Sequence, residues 1–264
     1  MSERMRVDLN GKVVIVTGAG GVIGRAMAKE FANNGATVIA ADIVTKTLEE
    51  TRDEIRQAGK DCIIKTVDLC KKEEVKQMMD EVAAECGGID VLCNNAGING
   101  GPEFRQNYWE YNDGLYEKIL SLDLEGAVYY SSKYAIPYML GRGGGSIINT
   151  ASIVGVVPLR LQCAFAAAKG AVVNMTKAMA VELGKEKIRV NALCPGSVRT
   201  AMVDALFYNN PAAGEALLSH VSLHRTGDPA EMASMVNYLA SDDAAYITGQ
   251  IIAVDGGWIA GYNR

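Results

Sequence analysis

Short apolar runs alternate with amphipathic stretches along almost the whole chain. Val13-Val14-Ile15-Val16 ends at Thr17-Gly18, and Ile23, Ala26, Met27 and Phe31 follow at helical spacing, with Gly35 as a stop. That is a strand, a tight turn and a helix. The pattern then repeats. Thr37 to Ala41 predicts a second strand, a polar helix surrounds Leu48 and Ile55, Cys62 to Val67 predicts a third strand, and Val75, Met78, Met79 and Val82 mark another helix. Ile89 to Cys93, Ser146 to Thr150, Arg189 to Cys194 and Gln250 to Val254 complete seven apolar runs, with helices near 113 to 140, 164 to 183 and 229 to 240. Near-continuous apolar strands alternating with helices predict a parallel sheet covered on both faces, the doubly wound α/β arrangement.

No linker or internal repeat interrupts this order, so residues 1–264 are expected to form one domain. Two irregular stretches, near 99–112 and 197–228, each directly follow a strand. Open α/β sheets bind ligands at the carboxyl ends of their strands, which makes these stretches the candidate substrate rim.

Composition excludes several classes. With 264 residues, 49% hydrophobic and 22% charged, the chain can bury a large core. A net charge of −5 argues against a polyanionic nucleic-acid partner. No run approaches the ~20 apolar residues of a membrane span, and the charged N-terminus does not read as a secretory signal, so a cytoplasmic location is expected. Cys62, Cys70, Cys86, Cys93, Cys163 and Cys194 form no CxxC pair and read as reduced thiols. His220 and His224 have no third ligand in view, so no metal site is expected and both read as surface residues.

The turn Thr17-Gly18-Ala19-Gly20-Gly21-Val22-Ile23-Gly24 joins the first strand to the first helix. Glycines there let the backbone approach a pyrophosphate, and a helix N-terminus supplies N–H donors and a positive dipole end. Asp42 closes the second strand eighteen residues beyond Gly24. A carboxylate in that place accepts hydrogen bonds from an adenosine ribose and repels a 2′-phosphate, which favours NAD over NADP. The competing role for Asp42 is an N-cap of the next helix. Asp68, closing the third strand, is a candidate for the adenine or, equally, a cap.

The second constellation runs from Ser152 to Lys169. Lys169 lies four residues after Phe165, so on a helix the ammonium sits beside the ring. A phenol there would make chemical sense: its pKa of ~10 falls next to a cation, toward the range in which it exchanges a proton with an alcohol. Phe165 carries no hydroxyl, and a ring alone only fills space.

Thr17-Gly18 to Gly24, Asn94-Asn95-Ala96-Gly97, Ser152 thirteen residues before Phe165, Lys169, Pro195-Gly196 with Thr200, and Thr248-Gly249 to Asp255-Gly256-Gly257 occur together and in order. The ordered set resembles the short-chain dehydrogenase/reductase family over essentially the whole chain. The resemblance implies a seven-stranded Rossmann-type domain, a nicotinamide cofactor, and a homotetramer or dimer built through the long helices beginning near 113 and 164. It implies cofactor contacts at Gly18, Gly21, Val22, Ile23 and Gly24, at Asp42, Asp68 and Leu69, at Asn95, Ala96 and Gly97, at Lys169, and at Pro195, Gly196, Val198 and Thr200. Ser152 would hydrogen-bond the substrate oxygen, and Lys169 would hold the nicotinamide ribose and lower the pKa of the acid. Asn99, Val154, Gln162, Met202 and Leu206 would join Ser152 in touching the substrate.

Three positions depart from the family pattern. Val22 stands where the family has a glycine, Phe165 where it has its catalytic tyrosine, and Asp123 where it has an asparagine that helps hold a water leading to the lysine. Phe165 has two explanations, a deliberate Tyr-to-Phe change made to trap a complex or a natural non-enzyme that kept the cofactor fold; persistence of Ser152 and Lys169 favours the first. Under either, loss of a general acid/base costs ~10²–10⁴-fold, so the chain as written is expected to be nearly inactive.

With a phenol restored, the expected reaction is NAD-dependent interconversion of a secondary alcohol and a ketone. Phe104, Tyr108, Trp109 and Tyr111 on one rim, and Met202, Val203, Leu206, Phe207 and Tyr208 on the other, suit an apolar or cyclic substrate such as a hydroxysteroid, or else pack the rim onto the body. Arg105, Arg160 and Arg199 leave room for an anionic group, and Gln162 or Asn99 for a polyol. A non-catalytic NAD-binding scaffold or sensor is the other class of reading.

Overall fold

The seven apolar runs form seven strands: β1 (Val13–Thr17), β2 (Thr37–Asp42), β3 (Ile63–Thr66), β4 (Val91–Asn94), β5 (Gly145–Thr150), β6 (Ile188–Pro195) and β7 (Ile251–Val254). The computed structural model of the protein describes residues 7–98, 104–200, 203 and 210–261. All strand pairs are parallel, in the order β3-β2-β1-β4-β5-β6-β7. Between them run α1 (Val22–Asn33), α2 (Thr45–Gln57), α3 (Lys72–Cys86), α4 (Asp113–Leu120), α5 (Ser131–Gly141), α6 (Cys163–Leu183), α7 (Pro211–Leu218) and α8 (Pro229–Ala240).

Successive side chains of a strand point to opposite faces, and here both faces are covered. Val14 and Val16 of β1 pack with Met27 and Phe31 of α1, Leu48 of α2 and Val236 of α8. Val13 and Ile15 point the other way, toward Val75, Met79 and Val82 of α3 and Met139 of α5. That is why the runs are continuously apolar rather than alternating. Phe31, Leu48 and Met79 are fully buried, each stabilising the fold by roughly 1.5–3 kcal/mol relative to exposure.

The expected helix near 113 to 140 is a continuous helical run with an irregular middle. Asn112 caps α4 by accepting the Leu115 N–H at 2.9 Å. Between α4 and α5, residues Ser121–Tyr130 form a π segment, a widening often found at functional sites. Here it carries Asp123 and brings Gly126 against Leu69, where an added Cβ would stand 2.5 Å from the Leu69 carbonyl oxygen. A buried polar chain ties this layer to the sheet: Asn94 donates to Ser132 and Asn149, and Asn149 donates to Thr176 of α6.

Strand ends differ from expectation by a residue or two, as hydrogen bonding rather than hydropathy sets them. His220 stacks on Trp258 with ring centroids 5.9 Å apart, and His224 faces Glu215 at 3.2 Å; both histidines are exposed. Among the described residues no helix is long and apolar enough to cross a membrane.

Candidate active site

The carboxyl ends of β1, β2, β4 and β5 converge on the glycine turn. The Thr17 hydroxyl donates to the Cys93 carbonyl and accepts the N–H groups of Asn95 (3.0 Å) and Ala96 (3.2 Å). Asn95 in turn donates through Nδ2 to the carbonyls of Thr17 and Gly18 and accepts the Thr150 hydroxyl at 3.4 Å. The segment Asn95-Ala96-Gly97 is therefore fixed to both the turn and β5. Gly18 has φ +67°, and a Cβ there would lie 2.8 Å from the Ala96 Cα; a Cβ at Gly24 would collide with the Gly18 carbonyl oxygen. Only glycine permits this approach of turn and helix.

No side chain caps α1 and no acidic residue occupies its first turn. Its first-turn N–H groups and positive dipole end are available to an anion, as a pyrophosphate requires. Val22 is 45% exposed on that turn, so its side chain points away from the packed interior. Asp42 is not an N-cap: α2 starts after Val44 without a side-chain cap, and the Asp42 carboxylate instead accepts the N–H groups of Gly20 (3.0 Å) and Val44 (3.1 Å). Asp68 does not cap α3 either; it accepts the Cys70 N–H at 3.0 Å just before Leu69 meets the π segment.

Ser152 follows β5 and accepts the Val154 N–H through its hydroxyl at 3.2 Å, turning the chain into a single 3-10 turn. That turn packs hard onto α6: a Cβ on Gly155 would lie 2.6 Å from both the carbonyl carbon and oxygen of Lys169. The spacing between Ser152 and Lys169 is thus set by backbone contact. Lys169, 4% exposed, donates to the Thr150 carbonyl at 3.1 Å, faces the Asp123 carboxylate at 3.3 Å, and lies 5.7 Å from the centre of the Phe165 ring, within cation–π range. Phe165 is buried in an apolar cluster with Ile153, Val154, Leu159, Trp258 and Ile259.

Asp123 is fully buried, and its Oδ1 accepts the Ile98 N–H at 2.8 Å. Burial pushes its carboxyl above the ordinary range, partly offset by the charge of Lys169 and the Ile98 N–H. Burial likewise pushes the Cys194 thiol up to about 11, although the Ser152 backbone N–H and Lys169 pull the other way.

On the far side, Pro195 ends β6, Gly196 donates to the Val254 carbonyl, Val198 bridges to Gly227, and the Thr200 hydroxyl accepts the Val203 N–H. Gln162 is buried at the entry to α6. Asn99, Met202 and Leu206, with Phe207 and Tyr208, lie outside the described residues. Of the rim aromatics, Phe104 and Tyr111 pack onto Ile119, Ala164 and Ala168, joined by a Tyr111 hydroxyl bond to the Phe104 carbonyl, whereas Tyr108 and Trp109 are about four-fifths exposed. Arg199 pairs with Asp228 at 2.9 Å, and Arg105 and Arg160 are exposed. Sequence reasoning missed the Thr17 hydroxyl, the Thr150 carbonyl and the packing of Trp258 and Ile259. A threonine at a strand end and a Gly-Gly-Trp turn are the only traces they leave in the sequence.

Residues 18–259 match a family profile described as enoyl-(acyl carrier protein) reductase. The chain is 40% identical over 259 residues to the uncharacterized oxidoreductase YxbG of Bacillus subtilis, covering 96% of this chain and 92% of that protein. It is 38% identical over 254 residues to a 3alpha-hydroxysteroid dehydrogenase of Mediterraneibacter gnavus, covering 96% and 98%. The crystal structure of carveol dehydrogenase from Mycobacterium avium in complex with NAD superposes with a TM-score of 0.89 at 28% identity, covering 97% of this chain and 100% of that one. Given this sheet order, glycine turn and full-length similarity, the chain belongs to the short-chain dehydrogenase/reductase family of nicotinamide-dependent alcohol and ketone oxidoreductases.

Proposed function

We propose that this chain is an NAD-dependent secondary-alcohol dehydrogenase whose proton-exchanging tyrosine is replaced by Phe165, leaving a bound substrate with little turnover. The observation that carries this reading is the buried Lys169 ammonium 5.7 Å from the centre of a ring that has no hydroxyl. A lysine so placed serves the ionisation of a phenol, and Phe165 offers it only the face of a ring, with no proton to exchange.

The residues fit a dinucleotide. The open N-terminus of α1 and the turn from Gly18 to Gly24 suit a pyrophosphate, and Asp42 at the end of β2 suits a ribose diol and disfavours a 2′-phosphate. Lys169 would hold the nicotinamide ribose, with Pro195, Gly196, Val198 and Thr200 along the ring's edge. When bound, NAD supplies the hydride acceptor. Ser152 orients the substrate oxygen, and its present bond to the Val154 N–H leaves its own proton free to donate.

The apolar cluster of Val154, Leu159, Phe165, Trp258 and Ile259 around this point supports an apolar or cyclic substrate. So do relatives named for a hydroxysteroid and for carveol. A second reading, a non-catalytic NAD-binding scaffold, is favoured by the buried Asp123–Lys169 pair, because a charge-compensated lysine no longer serves proton exchange.

The deciding experiment is NADH formation from cyclic alcohols, hydroxysteroids and polyols by this chain and by Phe165→Tyr, at saturating NAD and over a range of pH. Turnover by the variant alone supports the dehydrogenase. NAD binding by both with no turnover of any alcohol transfers support to the scaffold.

A further inference from the structure

Asp123 and Lys169 form an ion pair in which neither side chain reaches water appreciably: the lysine side chain is 5% exposed and the carboxylate is sealed. The groups around the ammonium come from four elements. The Thr150 carbonyl approaches from β5, the Phe165 ring from its own helix, the Cys194 thiol from β6, and the Asp123 carboxylate from the π segment. Among the described residues, Asp123 is the carboxylate that forms an ion pair with it; the charge of Asp255 bears on Cys194. Asp123 is held there rigidly, since Oδ1 accepts the Ile98 N–H and Gly97 leaves no side chain between the carboxylate and the lysine: a Cβ on it would stand 3.0 Å from Oδ2 and 3.2 Å from Nζ. The side chain sits inward on the π segment.

A lone ammonium lowers the pKa of a neighbouring phenol; an ammonium with a carboxylate 3.3 Å away presents a dipole whose field at the ring is much weaker. We propose that Asp123 is a positioning residue that neutralises Lys169 toward position 165, so that proton exchange in this chain is disabled at two places and a phenol restored at 165 regains a depressed pKa only when Asp123 is also made neutral. This rests on the dehydrogenase reading for its catalytic consequence, but its electrostatic content does not. The sign is fixed. Removing the negative charge leaves the site net positive, and a net positive site favours phenolate.

The test compares Phe165→Tyr with Phe165→Tyr/Asp123→Asn. Asparagine keeps an oxygen for the Ile98 N–H while removing the charge. Both proteins carry tyrosine labelled at Cζ, and the resonance absent from the parent is titrated by NMR. The expected result is a phenol midpoint about 1–3 pH units lower in the double variant, the usual effect of one charge at this range. In parallel, kcat/KM near neutral pH is expected to rise by about tenfold or more, tracking the phenolate population. Equal midpoints, or a higher one in the double variant, overturn the proposal whether or not either protein turns over. A lowered midpoint without oxidation of any alcohol leaves the electrostatic role standing and removes the dehydrogenase reading. Should Asp123→Asn fail to fold, as judged by circular dichroism and melting, Asp123→Ser makes the same comparison.

Discussion

The Asp42 carboxylate grips the backbone N–H of Gly20 at 3.0 Å, tying the end of β2 to the glycine turn that follows β1. The same group takes the Val44 N–H through its second oxygen, so its orientation is set from both sides. A ribose hydroxyl donating to it would add a charge-assisted bond of about 1.5–3 kcal/mol.

On the NAD reading proposed above, Asp42→Ala is expected to weaken NAD binding by about tenfold to a hundredfold and to narrow the preference over NADP, because the charge that repels a 2′-phosphate is gone. Titration of NADH and NADPH fluorescence reads both effects. Unchanged affinity for each dinucleotide would remove Asp42 from the cofactor site.

Phe165→Tyr adds one oxygen to a ring whose packing against Val154 and Trp258 is already made. The expected gain in kcat/KM on a responsive alcohol is about 10²–10⁴-fold, the usual worth of a general acid/base. With Asp123 in place the gain belongs at alkaline pH and is smaller near neutrality. A parent chain that matches the variant at every pH contradicts the assignment of Phe165.

The sheet was legible because burial on both faces writes a strand as a continuous apolar run, as Val13 to Val16 and Val38 to Ala41 illustrate. The glycine turn was legible for a related reason: Gly18 and Gly24 stand where any side chain collides. The π segment was not, since wide and ordinary helical turns share nearly the same apolar spacing, Ser121–Tyr130 contains no proline, and a lone glycine such as Gly126 is tolerated in an ordinary helix. Nor were the exposed positions of Tyr108 and Trp109, because an aromatic in an irregular stretch reads alike whether it faces a ligand or solvent. The Thr150 carbonyl on Lys169 is a backbone contact, and backbone contacts carry no residue type.

Gly155→Ala is expected to lower stability by about 1–3 kcal/mol, since its Cβ would meet backbone atoms of Lys169, which cannot rotate away. Ser152 and Lys169 should separate by the same displacement, so in the Phe165→Tyr background the variant should also lose kcat with little change in NAD affinity. A melting curve and a kinetic comparison at saturating NAD check this. Wild-type stability and turnover together would mean that the turn after Ser152 is free to move off α6.

Cys194 gives a pH dependence of definite sign. Burial raises its thiol to about 11, above the ordinary thiol value near 8.5. A folded-state pKa raised above the unfolded one means that the native state holds its proton longer. The stability this thiol contributes is therefore complete below the unfolded pKa and falls as pH rises toward the folded one. By pH ~10 the loss amounts to about 1–2 kcal/mol for this one group. Cys194→Ala, although it leaves a small cavity, should remove that slope, so its deficit relative to the parent in denaturant melts should shrink between pH ~8 and pH ~10. Burial raises the Cys70 thiol too, but Cys70 is exposed and should react with a thiol reagent in the folded chain faster than Cys194, which stays protected until unfolding. Rapid native-state modification of Cys194 at pH ~8, or a deficit that does not shrink with pH, would place that thiol in water and undo the packing described between β6 and Ser152.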